Sequence, residues 1–146
     1  RTPLLKQVVW GSSKIPREAA AEGRTAGNAM GQSYCMLNSR AMNAFMEKVW
    51  ASKYRLDILP VAQIHDAGYA LVRDDPEVVE WANRELIKAM EWQDLPELQH
   101  AQVKLTANLD MFWPNWSNTI TLPNDITRQE IIDICEKAKL KITEPA

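Results

Sequence analysis

The chain contains few cysteines and few glycines, and it has no long hydrophobic run. Its two cysteines, Cys35 and Cys135, are too few for a disulfide framework and match no metal-ligand spacing. No apolar run approaches the roughly 20 residues that span a bilayer, and no signal peptide opens the sequence. We therefore expect neither a disulfide-stabilised secreted domain, nor a zinc site, nor a membrane partner, and the default compartment is a reducing cytoplasm.

The composition is that of a globular protein, but its charge is unevenly distributed. Hydrophobic residues make up 46% of the 146 residues and charged residues 25%, which suits one domain with a core and argues against disorder. Residues 1–56 carry nine Lys or Arg against three Asp or Glu, whereas residues 57–146 carry eight against sixteen. A basic segment followed by an acidic one indicates a nucleic-acid face beside a cation-binding face, with chance surface variation as the alternative.

The first part of the chain predicts two helices. An extended lead-in ends at Pro16, which suits the first turn of a helix, and a longer helix is expected over about residues 32–51. Between them, three glycines spaced four residues apart predict a break or a place of close approach, because glycine weakens a helix. These glycines are Gly23, Gly27 and Gly31. The core stripe predicted for the longer helix consists of Tyr34, Leu37, Ala41, Phe45 and Val49.

The middle of the chain predicts a hairpin followed by a helix. Two short apolar runs flank a turn over residues 58–72, as in an antiparallel hairpin. Asp74 or Asp75 then caps a helix that has Pro76 in its first turn and runs to about residue 92.

The last part predicts one strand and a terminal helix. The strand is expected over residues 102–109, and Thr127 with Glu130 forms a capping box for a helix that reaches about residue 139. The whole pattern predicts an α/β fold of the α+β type, in which an antiparallel hairpin and a strand pack against helices.

The hairpin has an acid at its tip. His65 and Asp66 lie between the two apolar runs, two residues before Gly68. A carboxylate in this position can bind Mg²⁺ through one or two oxygens, while water and substrate phosphates fill the other positions. The alternative is an Asp that only shapes the turn. A shared proton between His65 and Asp66 is disfavoured, because neighbours on a strand point to opposite faces.

A polar stripe precedes the hairpin. Arg24, Asn28 and Gln32 are spaced four residues apart, so a continuous helix would carry them along one side. Arg, Asn and Gln can donate hydrogen bonds to the acceptors of a DNA minor groove. A solvated helix face without a ligand is the alternative.

Taken in order, these segments resemble the C-terminal part of the palm of a family A DNA polymerase, over about residues 14–116. The run 63–66, Gln-Ile-His-Asp, is similar to the family's motif C. The run 24–33 resembles the family's segment with Arg, then Asn, then Gln-Gly, and Arg-Glu-Ala-Ala at 17–20 often precedes that segment. The run 111–116, which ends in Pro-Asn-Trp, resembles the closing strand and turn of phage members.

The resemblance implies a role for each matched residue. Asp66 would be one of two aspartates that bind the catalytic metals, Mg²⁺ or alternatively Mn²⁺, and His65 would lie near the 3′ end of the primer. The substrates would be a dNTP and primer–template DNA, joined by two-metal phosphoryl transfer. The residues that would contact the DNA are Arg24, Asn28, Gln32, Gln63 and His65.

The sequence also departs from the family. Ala67 stands where the family usually has Glu, Ser33 replaces a usual Gly, and Leu37 stands where many members have Asp. The motif with the other aspartate and the nucleotide-binding helix have no counterpart here. We therefore expect an N-terminal polymerase portion to supply the fingers and the second aspartate. Residues 1–116 would be the palm part, and residues 117–146 a C-terminal extension.

Two other functions are compatible with the residues. One is a non-catalytic DNA-binding or assembly module derived from a palm, which Ala67 and the acidic second half favour. The other is a small metal-dependent hydrolase that uses His65 and Asp66, which is weakened by the lack of a second ligand cluster in the sequence.

Overall fold

The computed structural model describes residues 5–91, 94–96 and 99–143. It contains three helices and two small antiparallel sheets, so the predicted α+β class is confirmed. In chain order the elements are α1 (Pro16–Trp50), β1 (Ile58–Ile64), β2 (Ala67–Val72), α2 (Pro76–Met90), β3 (Leu109–Phe112), β4 (Thr119–Leu122) and α3 (Arg128–Thr143).

Helix α1 is a single helix of 35 residues, so the predicted break at the glycines is wrong. No atom lies within 4 Å of the Cβ position built on Gly23, Gly27 or Gly31, so no close approach explains these glycines either. The lead-in segment supports this half of α1, because the Ser13 backbone N–H donates to the Glu22 carboxylate at 3.2 Å. An alanine-rich segment of high helix propensity precedes the glycines, and a packed helical segment follows them. These flanking segments keep the helix continuous across the glycines.

The hairpin and the helix that follows it are confirmed. Strands β1 and β2 pair in register from Ile58 opposite Val72 to Ile64 opposite Ala67, with one bulge after Pro60. Asp75 is the N-cap of α2, and its carboxylate accepts a hydrogen bond from the Glu77 backbone N–H at 2.8 Å. The predicted end of α2, residue 92, lies outside the described residues.

The second sheet corrects the prediction for the last strand. The strand expected over residues 102–109 lies instead at Leu109–Phe112, and only Leu109 is shared. It pairs with Thr119–Leu122, a strand that was not predicted. The capping box is confirmed, because the Glu130 carboxylate accepts from both the backbone N–H and the hydroxyl of Thr127.

Two apolar clusters hold the elements together. The larger lies between α1, α2 and the base of the first hairpin, and the smaller lies between α2, α3 and the second sheet. Within the predicted stripe of α1, Ala41, Phe45 and Val49 are buried, whereas Tyr34 is 48% exposed and was wrongly placed in the core. The base of the first hairpin thus belongs to the larger apolar cluster, and the tip of the hairpin extends beyond that cluster.

Candidate functional site

The tip of the first hairpin is a two-residue turn. Ile64 pairs with Ala67, so His65 and Asp66 alone connect the strands. His65 has a φ of 54°, in the left-handed region, and Asp66 does not share this feature. A positive φ at the first of two turn residues is the pattern of a type II′ hairpin turn, whose twist matches that of the strands. The backbone of the turn therefore fixes the positions and directions of the Cα–Cβ bonds of His65 and Asp66.

Helix α1 holds this turn from behind. The buried side chain of Asn38 donates a hydrogen bond from Nδ2 to the backbone oxygen of His65, at 3.4 Å. One residue further along, the Ser39 hydroxyl accepts from Gln63 Nε2 at 2.8 Å. The tip is thus tied to the helix at the turn itself and at the end of β1. The amide nitrogen of Gln63, predicted to contact DNA, already has a partner within the chain.

A glycine allows the hairpin to approach α1 closely. A Cβ added to Gly68 would lie 2.4 Å from Met42 Sδ and 3.0 Å from Met42 Cγ. The side chain of Met42 is buried, so it has little space into which to move. Gly68 therefore sets the distance between β2 and the helix just behind the tip.

The carboxylate of Asp66 is exposed, and among the described residues it has no hydrogen-bond or ion-pair partner. A free, rigidly mounted carboxylate fits one ligand position of a hard cation such as Mg²⁺. Within the described parts of the chain, no group of three or more His, Cys, Asp or Glu side chains is placed to hold a metal ion. The described residues therefore offer Asp66 as a candidate ligand but no group of three such side chains around one site.

The polar stripe lies on one continuous helix, as its spacing requires. Arg24 and Asn28 are exposed, and no described residue hydrogen-bonds to either side chain. Gln32 is also exposed, but its Oε1 accepts from Gln7 Nε2 at 3.0 Å. At 1.5 Å per residue, Gln32 lies about 9 Å along the axis from Asn38, and Arg24 about 21 Å. The stripe thus leads away from the tip along an exposed side of the N-terminal half of α1.

The first hairpin exposes large apolar side chains. Val61 is 56% exposed and Leu71 63% exposed, and Leu59 and Ile64 are exposed as well. Apart from Ile58, every residue of β1 is exposed. Exposed apolar side chains that lie together on a surface are typical of interaction sites and of surfaces prone to aggregation.

The second hairpin has a different kind of tip. In the long turn between β3 and β4, Asn115 Oδ1 accepts from both the backbone N–H and the hydroxyl of Ser117, and Asn118 Nδ2 donates to the backbone oxygen of Trp113. Trp116 stacks on Phe112 with ring centroids 4.4 Å apart, although its side chain is 69% exposed. The polar groups of this turn are used internally.

The C-terminal extension is tied to the rest of the chain by an ionic cluster. The Glu77 carboxylate accepts from the Tyr54 hydroxyl at 2.6 Å and from Lys53 Nζ at 2.7 Å, and Arg128 Nη2 lies 3.2 Å from it. Hydrogen bonds from Lys53 and Tyr54, together with the charge of Arg128, lower the pKa of Glu77 to about 2. The start of α3 is thereby fixed to α2 and to the loop after α1.

Sequence reasoning found the tip and the stripe but missed Asn38. An Asn at helical spacing from Ala41 and Phe45 interrupts an apolar stripe, which is a signal for a buried polar contact. Its partner is a backbone oxygen 27 residues away, and no local pattern predicts that pairing.

Among the described residues, no helix is long and apolar enough to cross a membrane. Cys35 and Cys135 are both free thiols. Comparison of the chain with family models, with curated proteins and with solved structures finds no match.

Proposed function

We propose that this chain is the C-terminal part, or C-terminal subunit, of a DNA-directed DNA polymerase that resembles family A. It would contribute Asp66 as one metal-binding aspartate and would contact primer–template DNA. The observation that carries the proposal is one helix that anchors the hairpin tip bearing the exposed Asp66 and also carries Arg24 and Asn28 on its exposed side. The proposal places the chain in the cytoplasm, that of the host if it is phage-encoded.

The geometry of the tip supports a catalytic role for Asp66. A catalytic carboxylate must keep its position while substrates change, and the II′ turn with the Asn38 contact restrains the backbone on which Asp66 is mounted. Bound Mg²⁺, or Mn²⁺, would supply positive charge to a transferring phosphoryl group. Asp66 would hold it through carboxylate oxygens, and a second aspartate from the N-terminal portion would complete the ligand set.

The exposed half of α1 supports a role in DNA binding. Arg24 and Asn28 have no partner among the described residues, and residues 1–56 carry nine Lys or Arg against three Asp or Glu. Side chains of this type can donate to minor-groove acceptors, which A·T and T·A pairs share. They would therefore sense pairing and groove shape with little preference for sequence. His65, at the tip, would lie near the 3′ end of the primer.

Primer extension tests the proposal directly. The purified chain alone is expected to give no extension of a primed template with dNTPs and Mg²⁺, because Asp66 supplies only one side of a two-metal site. Addition of an N-terminal polymerase portion, with fingers and the second aspartate, is expected to give extension. Robust extension by the 146-residue chain alone would refute the assignment as a part.

A non-catalytic DNA-binding or assembly module is the second candidate. Ala67, directly after Asp66, lacks the carboxylate that the family usually has there, and the described residues provide no group of three or more side chains that could hold a metal ion. For such a module, the reconstituted complex would bind primed DNA but show no Mg²⁺-dependent incorporation. Incorporation that is lost in an Asp66→Ala complex would exclude it.

A further inference from the structure

The segment before α1 folds back along that helix, and we call its residues 7–13 the strap. At one end of the strap, the Ser13 backbone N–H donates to the Glu22 carboxylate at 3.2 Å. At the other end, Gln7 Nε2 donates to Gln32 Oε1 at 3.0 Å. The strap is therefore fastened to the N-terminal half of α1 at both of its ends.

The strap has little slack between these two contacts. Glu22 and Gln32 lie about 15 Å apart along the helix axis, at 1.5 Å per residue. The chain from Gln7 to Ser13 spans at most about 22 Å when it is fully extended. At Gly11 the strap lies close to the helix, because an added Cβ would be 3.2 Å from Glu22 Oε2. The backbone that carries Gln7 is thus held in place, and the Gln7 side chain is half-buried.

The contact between Gln7 and Gln32 determines the orientation of the Gln32 amide. A glutamine side chain has one end that accepts hydrogen bonds, Oε1, and one end that donates them, Nε2. Because Gln7 presents a donor, only the Oε1 end of Gln32 can face it. The Nε2 end of Gln32 consequently points away from the Gln7 nitrogen, and no described residue accepts a hydrogen bond from it. The exposed Gln32 side chain therefore offers a donor to an external ligand.

The two orientations of this amide are not equivalent toward DNA. The minor groove presents acceptors, which are N3 of adenine and O2 of thymine in an A·T pair. An Nε2 donor can bind these atoms, whereas an outward Oε1 would meet them with a second acceptor. Arg24 needs no orienting partner, because a guanidinium has donors only. Asn28 has no partner among the described residues that would orient its amide.

We propose that Gln7 is a positioning residue for the polar stripe. By donating to Gln32 Oε1, it turns the Gln32 amide so that Nε2 is presented to an acceptor in the minor groove of primer–template DNA. The identity of the ligand rests on the proposed function, whereas the orientation of the amide rests on the contact within the chain. Gln7 itself does not touch the DNA and acts through Gln32.

The first experiment examines the orientation of the amide without DNA. In the isotope-labelled full chain, the side-chain N–H groups of Gln7 are expected to exchange with water more slowly than those of Gln32, because only the former donate within the chain. Gln7→Glu replaces the donor by a carboxylate of nearly the same size, which can only accept. Gln32 must then turn its Nε2 toward residue 7, and exchange of its N–H groups is expected to slow by about threefold or more.

The second experiment measures which atom Gln32 presents to DNA. Each primed duplex carries one 3-deazapurine, which lacks the N3 acceptor, at a different position near the 3′ end of the primer. The affinity of the full chain for the unmodified duplex, divided by its affinity for the modified one, cancels general effects of charge. The position that Gln32 reads is the one where Gln32→Ala abolishes this preference. There the parent should prefer the unmodified duplex by about three- to tenfold.

Variants of the strap should change this preference in a fixed order. Gln7→Glu should abolish it, because Oε1 of Gln32 then faces the groove. Gln7→Ala leaves both orientations of the amide open and should lower the preference about twofold. Gln7→Lys keeps a donor toward Oε1 and should preserve it. Ser12→Glu adds the same charge at an exposed position of the strap, so it should lower the affinity for both duplexes and leave the preference unchanged.

Each result decides the inference. Equal exchange of the Gln32 amide in the parent and in Gln7→Glu, a preference that survives Gln7→Glu, or an equal loss in Ser12→Glu would overturn it. The absence of any position read by Gln32 would overturn it as well. Primer extension separates this inference from the polymerase assignment. A preference that follows residue 7, without extension by any reconstituted complex, refutes the assignment alone. Extension with a preference that ignores residue 7 refutes the positioning role alone.

Discussion

Both hairpins of this chain consist of two antiparallel strands, but the polar side chains at their tips differ in whether they bond within the chain. In the first, a two-residue turn leaves the Asp66 carboxylate without a partner among the described residues, while the backbone beneath it is tied to α1. In the second, a longer turn uses Asn115 and Asn118 for its own hydrogen bonds and covers Phe112 with Trp116. A restrained backbone under an exposed side chain without a protein partner leaves that side chain available to a ligand, whereas the side chains of the second turn already hold its own structure.

The largest expected effect concerns the Asp66 carboxylate, on which the comparison of the two tips depends. Asp66→Ala should lower nucleotide incorporation by the assembled polymerase by about 10³-fold or more, because a group that acts on the transition state is removed. Asp110→Ala, a carboxylate on the second hairpin, is the matched control and should retain most of the activity. Steady-state incorporation and circular dichroism of both variants provide the measurement. Near-normal turnover of Asp66→Ala with intact fold would end the assignment.

The polar stripe should give a smaller effect, on binding. Alanine at Arg24 or Asn28 should weaken primer–template binding by about three- to thirtyfold, the cost of one lost polar contact, with little dependence on sequence. The same change at Gln32 should weaken binding to a similar extent, because Gln7 uses the Oε1 of Gln32 and not the amide N–H groups that would donate to the groove. Fluorescence anisotropy with two unrelated primed duplexes measures both quantities. If all three variants bind like the parent at moderate salt, the stripe is a solvated face.

Glycine substitutions sharpen the contrast between packed and open regions. Gly68→Ala should destabilise the chain by about 1–3 kcal/mol, because its Cβ would overlap Met42. Gly27→Ala should stabilise it by up to about 1 kcal/mol, because that helical site is open. Urea unfolding measures both changes. The Gly68 effect should shrink in a Met42→Ala background, and equal effects in both backgrounds would contradict the overlap.

Removal of the contact beneath the tip should have a moderate effect. Asn38→Ala is expected to cost about 1 kcal/mol of stability, since a buried hydrogen bond to the His65 oxygen is lost. Asn43, exposed on the same helix, provides the control Asn43→Ala, which should be slightly stabilising because alanine has the higher helix propensity. In the assembled polymerase, Asn38→Ala should lower incorporation while DNA affinity is retained. A change in stability alone would restrict Asn38 to a structural role.

The smallest expected effect concerns the stability of the fold at acidic pH. Because the pKa of Glu77 is lowered from 4.5 to about 2 in the folded chain, its contribution to stability is present above about pH 4.5 and is lost as the pH falls toward 2. Glu77→Gln should therefore unfold with a shallower pH dependence in that window. Its stability near pH 7 should fall slightly toward that of the acidified parent. An unchanged pH dependence of unfolding would show that the contacts of Glu77 with Lys53, Tyr54 and Arg128 do not contribute to stability.

Local signals predicted the elements whose causes are local. Asp75 before Pro76 and Thr127 before Glu130 are caps that act within one helical turn, and both are present as expected. The tight turn at Asp66 follows from the residues on either side of it. Each of these features requires only a few consecutive residues, so the sequence contains the whole cause.

The errors involve causes that lie elsewhere in the chain. Residues 102–109 have strand-like composition, but a strand also needs a partner, and pairing with Thr119–Leu122 moves the strand to Leu109–Phe112. The alternation of Thr119–Leu122 was a signal that could have been used. The glycines of α1 were expected to end the helix, but the lead-in packs on it through Ser13 and Glu22. Asn38 acts on a carbonyl in another element.

The exposed apolar side chains of the first hairpin and the edges of its two-stranded sheet have a consequence for how the chain is made. In the described structure, Leu59, Val61 and Leu71 are exposed beside strand edges that pair with no third strand, and such edges are templates for association with further copies. The chain made by itself is therefore prone to aggregation and to degradation by quality-control proteases. Under the proposed function, production in the laboratory should succeed best when the chain is made together with the N-terminal polymerase portion.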